Sequence, residues 1–242
     1  MRNRCSKKES FLSETCEKPF DYMSFCTVTA IIPAYNEEQT IADVVKPLVA
    51  STLISQVIVI SDGSTDQTAQ RARKAGAIVY ELSEKGGKGE AMAEGVRRTT
   101  DPVIAFFDAD LIGLSSAHIE QLLFPVLSKD RQMNVGIRDR GPFFTKLSHH
   151  LPLISGERVM ERFIFEQIPP KFLRGFMVEI ALNYFCRVHH LSCGAVTLAG
   201  LSIRRKYQKV SFSIAVIQYL RMFTQIIQGM LIIRLAHLFK SF

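Results

Sequence analysis

Two carboxylates one residue apart, Asp108 and Asp110, close the apolar run VIAFF and are the residues of this chain best suited to chemistry. In extended backbone, side chains two positions apart point to the same side, so the pair converges on one point at a strand end. Like charges held together are unfavourable unless a cation lies between them. Mg2+ or Mn2+ is the natural partner, because a hard divalent ion takes oxygen ligands and keeps substrate phosphates and water in its shell. The rival chemistry is phosphate-ester hydrolysis by an aspartate nucleophile, which expects Ser or Thr shortly after the second Asp. Leu111 and Ile112 stand there instead.

Three other stretches carry polar groups where apolar runs end. In IIPAYNEE, Pro33 stops a strand, and Asn36 and Glu37 open the next helix, whose free N–H groups and dipole favour anions. An ordinary turn and cap would use the same residues. In VISDGSTDQT, Asp62 can accept bonds from a ribose or a base, although Asp-Gly pairs also build simple turns. In EKGGKGEAM, Lys85 and Lys88 lie among three glycines, where a lysine can reach a phosphate and glycine N–H groups can approach it closely. A solvated loop would read the same way. Two familiar phosphate motifs fail on spacing: a P-loop needs glycine where Leu82 stands and Ser or Thr where Gly89 stands. Met92 occupies the third glycine position of a dinucleotide fingerprint.

The elements that position these residues alternate from about Thr27 onward: TVTAII, a helix with Ile41, Val44, Val45 and Leu48, then VIVI, then a helix from Thr65. Ser64 followed by Gln67 has capping-box spacing for that second helix. AIVYEL, VIAFF and MNVGI supply further strands; after Arg138 the pattern passes into loops and helices, notably Val178 to His189, with one more strand at CGAVTLAGL. Such alternation predicts a parallel sheet with crossover helices, and ligands then bind at the carboxyl ends of its strands.

Composition narrows the class. With 242 residues, 47% of them hydrophobic, the chain can fill a sizeable core. The net charge of +7 is uneven, since Arg187 to Phe242 holds eight Lys or Arg and no Asp or Glu. A basic, apolar, acid-free tail is drawn to anionic surfaces, and its apolar content argues for lipid over nucleic acid. The five cysteines include no CxxC pair and read as reduced thiols of a cytosolic protein. Residues 1–25 read as a polar tail with no secretory leader, and Arg2 stands where myristoylation needs glycine.

IIPAYNEEQTI, VISDGSTDQT, KGGKGEAM and FFDADL, in this order and at these separations, resemble the family 2 glycosyltransferases of the GT-A fold. Within that family the chain looks most like the dolichol-phosphate and polyprenyl-phosphate sugar synthases. The resemblance implies an α/β, Rossmann-like, mostly parallel sheet flanked by helices over residues 26–209, followed by a C-terminal amphipathic helix over 210–242. It also implies that Pro33, Tyr35 and Glu37 line the nucleotide pocket, that Asp62 contacts base or ribose, and that Lys88 reaches the phosphates. Asp108 and Asp110 would bind the metal and diphosphate, Asp110 the more directly. Ile112 departs from the pattern, standing where the lipid-phosphate branch often has another polar ligand; Ile203 lies in the segment where some relatives carry a histidine ligand. VGIRDRGPF and PLISGERVMERF resemble the acceptor-side loop and offer Arg138, Arg140 and Arg158 to the sugar or phosphates. Glu179, at a family-like helix start, would orient the donor or act as a base. LSIRRKYQKV resembles the basic segment that closes over the diphosphate, nominating Arg204, Arg205 and Lys209. His149, His150, His189 and His190 read as surface or packing residues.

The reaction this implies is displacement at the anomeric carbon of a UDP- or GDP-hexose, with metal and basic side chains stabilising the departing diphosphate. A lipid phosphate acceptor needs no general base; a hydroxyl acceptor needs one, from Glu179 or Asp139. In the tail, the longest charge-free run, residues 222–233, falls short of the roughly 20 residues of a spanning helix. Gln218, Arg221, Gln225 and Gln228 draw one polar stripe along it, as in a helix lying in a membrane interface. The catalytic domain or a second copy of the chain is the other surface such a helix could cover. The leading expectation is therefore a hexosyltransferase, peripheral on the cytoplasmic face of a membrane, acting on a polyprenyl phosphate. The alternatives keep the fold but take a soluble acceptor, such as a small phosphorylated acid, or bind nucleotide or membrane without turnover.

Overall fold

Residues 27–138, 155–173, 177–204 and Ile233 are described in the computed structural model. In chain order they form β1 (Val28–Ala34), α1 (Ile41–Val49), β2 (Gln56–Asp62), α2 (Thr68–Lys74), β3 (Ile78–Leu82), α3 (Lys88–Arg97), β4 (Val103–Phe106) and β5 (Leu111–Ile112). There follow α4 (Ser116–Leu127), β6 (Met133–Arg138), β7 (Arg158–Glu161), α5 (Arg162–Glu166), α6 (Met177–Val188), β8 (Cys193–Leu198) and β9 (Ser202–Ile203).

Successive residues of β1 face opposite ways, and each set has its own helices. Val28, Ala30, Ile32 and Ala34 join one core cluster with the buried residues of α1 and α4, whereas Ile31 joins a second with Met92, Ala93 and Val96 of α3 and the apolar faces of α5 and α6. A strand apolar on both faces belongs inside a parallel sheet covered by helices. The observed order is β3-β2-β1-β4-β7-β6-β8, parallel throughout except for β7, which runs antiparallel to both its neighbours. The expected α/β sheet is thus present. Of the tail, only Ile233 is described: it is helical, fully buried and part of the second cluster. The expected interface helix otherwise lies outside the described residues, as does the polar tail.

Three expectations need correction. β1 does not stop at Pro33 but runs on to Ala34, paired with Ser61. The carbonyl of Ile31 accepts from Phe107, so by alternation the N–H that Pro33 lacks would face the same side, where pairing with β4 has already ended at Phe106. α2 begins at Thr68, not Thr65, and Ser64 does not cap it. The Ser64 hydroxyl is occupied with the end of β1, accepting from the N–H of Asn36 at 3.2 Å, while Asp66 accepts from the N–H of Thr68 at 2.9 Å. Finally, β7 occupies a stretch read as loop and helix. Its first residue is Arg158, fully buried, so the apolar signature of an interior strand is missing.

Candidate active site

The order β3-β2-β1-β4 brings the carboxyl ends of β1, β2 and β4 together, and a cavity of about 330 Å3 opens there. Pro33, Tyr35, Glu37, Asp62, Lys88, Asp108 and Asp110, nominated from four separate stretches, all line it. Lys85 and Gly87 complete its rim.

Each wall is held by backbone bonds. Asn36 adopts φ 54, a left-handed conformation that Asn tolerates, and its Oδ1 accepts from the N–H of Thr65 at 2.9 Å. Asp62 holds the glycine loop: its Oδ1 accepts from the N–H of Gly86 at 2.7 Å and its Oδ2 from that of Gly87 at 2.9 Å. The ammonium of Lys85 lies 3.6 Å from the centre of the Tyr35 ring, joining the β1 loop to the glycine loop. Below the acid pair, the Thr40 hydroxyl donates to the carbonyl of Ala109 at 2.8 Å, and the N–H of Arg204 donates to that of Asp110 at 2.8 Å. β9 thereby pairs with β5 and clips the segment just after the two carboxylates.

The acid pair is electrostatically unequal. Lys88 donates to Asp108 at 2.9 Å and to Glu179 at 3.3 Å, and the Glu179 side chain is only 4% exposed. Burial pushes Asp108 up, but Lys88, with help from Arg138 and Arg158, overrides it and holds the carboxyl below its usual range. For Lys88 burial acts downward, yet Asp108 and Glu179 hold its ammonium well above the usual lysine value. Asp110 moves the other way: burial, then the charges of Asp108 and Glu37, raise it against a weaker pull from Arg138.

Other nominated residues stand behind the cavity rather than on its lining. Arg138 lies 3.7 Å from Glu157, and fully buried Arg158 donates to the carbonyl of Ser155 at 2.7 Å. Glu179 sits in the first turn of α6 with Oε2 buried and lacking a hydrogen-bond partner. Arg204 is exposed. Arg205, Lys209, Arg140 and Asp139 lie outside the described residues. His189 is an exposed surface residue, its ring 4.3 Å from that of Phe185. Sequence reasoning missed Glu157, which is fully buried and raised by burial and by Asp108. Its only signal was a Glu-Arg neighbour pair, which reads like a surface ion pair. Cys186 and Cys193 are free thiols, as expected.

No cluster of three or more His, Cys, Asp or Glu among the described residues could hold a metal by itself. The site nonetheless suits Mg2+ or Mn2+, which bind through one or two carboxylates and complete their shell with phosphates and water. The direct sign is Asp110, whose ionised form is opposed by two neighbouring acids and would be relieved by a cation.

This sheet, with its acid pair at the end of the fourth strand, is a GT-A-type, Rossmann-like α/β fold. Residues 29–193 match the glycosyl transferase family 2 profile, and the chain belongs to that family. It is 30% identical over 219 residues to the glucosyl-3-phosphoglycerate synthase of Mycolicibacterium paratuberculosis, a match spanning 74% of this chain and 65% of that one. To 4,4'-diaponeurosporenoate glycosyltransferase of Staphylococcus aureus it is 37% identical over 102 residues, 40% of this chain and 27% of the relative. The chain therefore spans less than two thirds of the length of these curated relatives. Among solved structures, glucosyl-3-phosphoglycerate synthase from Mycobacterium tuberculosis in complex with Mn2+, UDP-glucose and phosphoglyceric acid superposes with a TM-score of 0.72. That match has 26% identity and covers 88% of this chain and 81% of the other.

Proposed function

We propose that this chain is a nucleotide-sugar glycosyltransferase that takes a hexose from a UDP-hexose, with Mg2+ or Mn2+, and gives it to a small phosphorylated acid. The observation that carries the reading is the cavity at the strand ends, where Asp108, Asp110, Glu37 and Lys88 converge from separate stretches of the chain. The relatives that bind UDP-glucose, Mn2+ and phosphoglyceric acid support the donor, the ion and the acceptor class.

Asp108 and Asp110 would hold the ion, which supplies Lewis-acid stabilisation of the leaving diphosphate. Lys88 keeps a fixed positive charge beside them, because its two carboxylate partners hold its proton. Tyr35 and Lys85 form the wall nearest the base, and Asp62 fixes the glycine loop that closes the cavity. An acceptor hydroxyl must lose a proton as it attacks the anomeric carbon. Glu179 stands behind the cavity lining with its second oxygen buried, so its part is to hold Lys88 in place beside the acid pair.

The soluble acceptor is preferred to the polyprenyl phosphate first expected, for which the basic, acid-free tail is the remaining argument. The test is UDP-glucose with Mn2+ and either 3-phosphoglycerate or polyprenyl phosphate, with products read by mass spectrometry and UDP binding by calorimetry. The expected results are Mn2+-dependent UDP binding and glucosylated phosphoglycerate. Product on polyprenyl phosphate alone would restore the lipid reading, and absence of UDP binding would end both.

A further inference from the structure

We propose that Gly156 is a backstop for the Asp108 carboxylate and that Ser155, Glu157 and Arg138 are positioning residues that hold it there. This rests on reading Asp108 and Asp110 as the cation and diphosphate site. A Cβ added at Gly156 would stand 2.2 and 2.3 Å from the two oxygens of Asp108 and 2.4 Å from its carboxyl carbon. Gly156 is not among the residues with positive φ, so glycine serves here for space and not for backbone conformation. The Asp108 carboxylate lies in the space a side chain at 156 would take and so rests directly against the glycine backbone. Lys88 bonds Oδ1 of that carboxylate, and the wall at Gly156 limits the rotation that would carry Oδ2 away from the cavity.

The wall is tied on both flanks. The carbonyl of Ser155 accepts from Nε and Nη2 of Arg158 at 3.2 and 2.7 Å, and its hydroxyl donates to Oε2 of Glu157 at 2.5 Å. The carbonyl of Glu157 accepts from the N–H of Gly136 at 2.8 Å, and Nε of Arg138 lies 3.7 Å from Glu157 Oε2. Arg158 is in ladder register with Phe106, two residues before Asp108, so the two segments cannot slip past one another. Buried ionic groups are a poor means of gaining stability, since well-packed apolar residues of similar volume usually do as well or better. Their use here is explained by the precision a metal ligand needs, on the order of 0.5 Å.

The test is calorimetric titration of the full chain with UDP, with and without Mn2+, for the wild type and for Gly156→Ala, Ser155→Ala, Glu157→Ala and Glu157→Gln. Gly156→Ala is expected to weaken the Mn2+-dependent part of UDP binding by about 10- to 100-fold, the range typical of residues that orient metal ligands. Metal-free UDP affinity should remain. Ser155→Ala and Glu157→Ala, which add no atoms, should act in the same direction, and Glu157→Gln, which still accepts from Ser155, should recover most of the loss. A folded Gly156→Ala with its Mn2+ effect intact overturns the backstop, as does an equal fall in metal-free and metal-dependent affinity, the mark of simple packing. If Gly156→Ala does not fold, Ser155→Ala and Glu157→Ala decide the matter on the same readout. A wild type whose UDP affinity ignores Mn2+ removes the site reading and the backstop with it.

Discussion

Lys88→Met isolates the ammonium that Asp108 and Glu179 share, because methionine keeps most of the stem and removes the charge. In the wild type one ammonium serves two carboxylates, at 2.9 and 3.3 Å, whose side chains are 22% and 4% exposed. Removing one partner of a buried pair costs about 3–5 kcal/mol by leaving charge uncompensated. Lys88 is itself 33% exposed, and the cavity admits solvent to Asp108, so the cost is discounted to just below that range, about 2–3 kcal/mol. For a chain of this size the melting temperature should fall by about 4–12 °C. The pH dependence gives a second check. The depressed carboxyl of Asp108 contributes stability above its unfolded value of about 3.9, lost as pH falls through the folded value. The raised ammonium of Lys88 contributes below its unfolded value of about 10.4, lost as pH rises through the folded value. The gap between wild type and variant should therefore be widest between about pH 4 and 10 and should close in acid. Differential scanning calorimetry from about pH 3, just below that window, to about pH 9, within it, reads both effects. A variant melting with the wild type at pH 7, or a gap that persists undiminished in acid, would refute the pairing argument.

Asp110→Asn should separate stability from binding: it removes a charge that Asp108 and Glu37 oppose, so the metal-free protein should melt no lower than the wild type. In scanning fluorimetry of the two proteins, the extra stabilisation that Mn2+ gives with UDP should vanish in the variant. Because the carboxyl of Asp110 is raised above the ordinary aspartate value, Mn2+ must compete there with a proton at higher pH than at an ordinary aspartate. Mn2+-dependent UDP affinity, followed by titration calorimetry across pH, should thus fall before ordinary carboxylates protonate. Gly89→Ala should destabilise strongly, since its Cβ would stand 1.8 Å from the carbonyl oxygen of Leu173. Backbone cannot step aside like a side-chain tip, so the loss in urea denaturation should reach the upper part of the about 1–3 kcal/mol range for overpacking.

How much of this was legible in the sequence depends on whether each residue kept company with its own kind. β1, β2 and β4 announce themselves as apolar runs, and the polar residues that follow them mark the cavity, so seven of its lining residues could be named in advance. Ser64 and Gln67 satisfied a local capping rule, but the hydroxyl was taken by Asn36, nearly thirty residues away in sequence, a contact no local rule contains. β7 fails the opposite way. Its first position holds an arginine that a strand pattern assigns to solvent, yet Arg158 is fully buried against a loop bent back upon it. Glu157 was hidden for the same reason, since charge neighbours in sequence look alike whether they face water or a core.

The buried charges then show how much of the acid pair's charge the protein itself offsets. Asp108, Glu157 and Glu179 are met by Lys88, Arg138 and Arg158, and each acid of the first group is influenced by at least one of those bases. That set is formally neutral, which makes burial tolerable. Asp110 stands beside it with Glu37 and Asp108 as its strongest charged neighbours, both acidic. One carboxylate of the DxD is therefore neutralised by the protein, and the other is left for something the protein does not supply. A site that compensated both would bind no cation; one that compensated neither would pull the strand end apart.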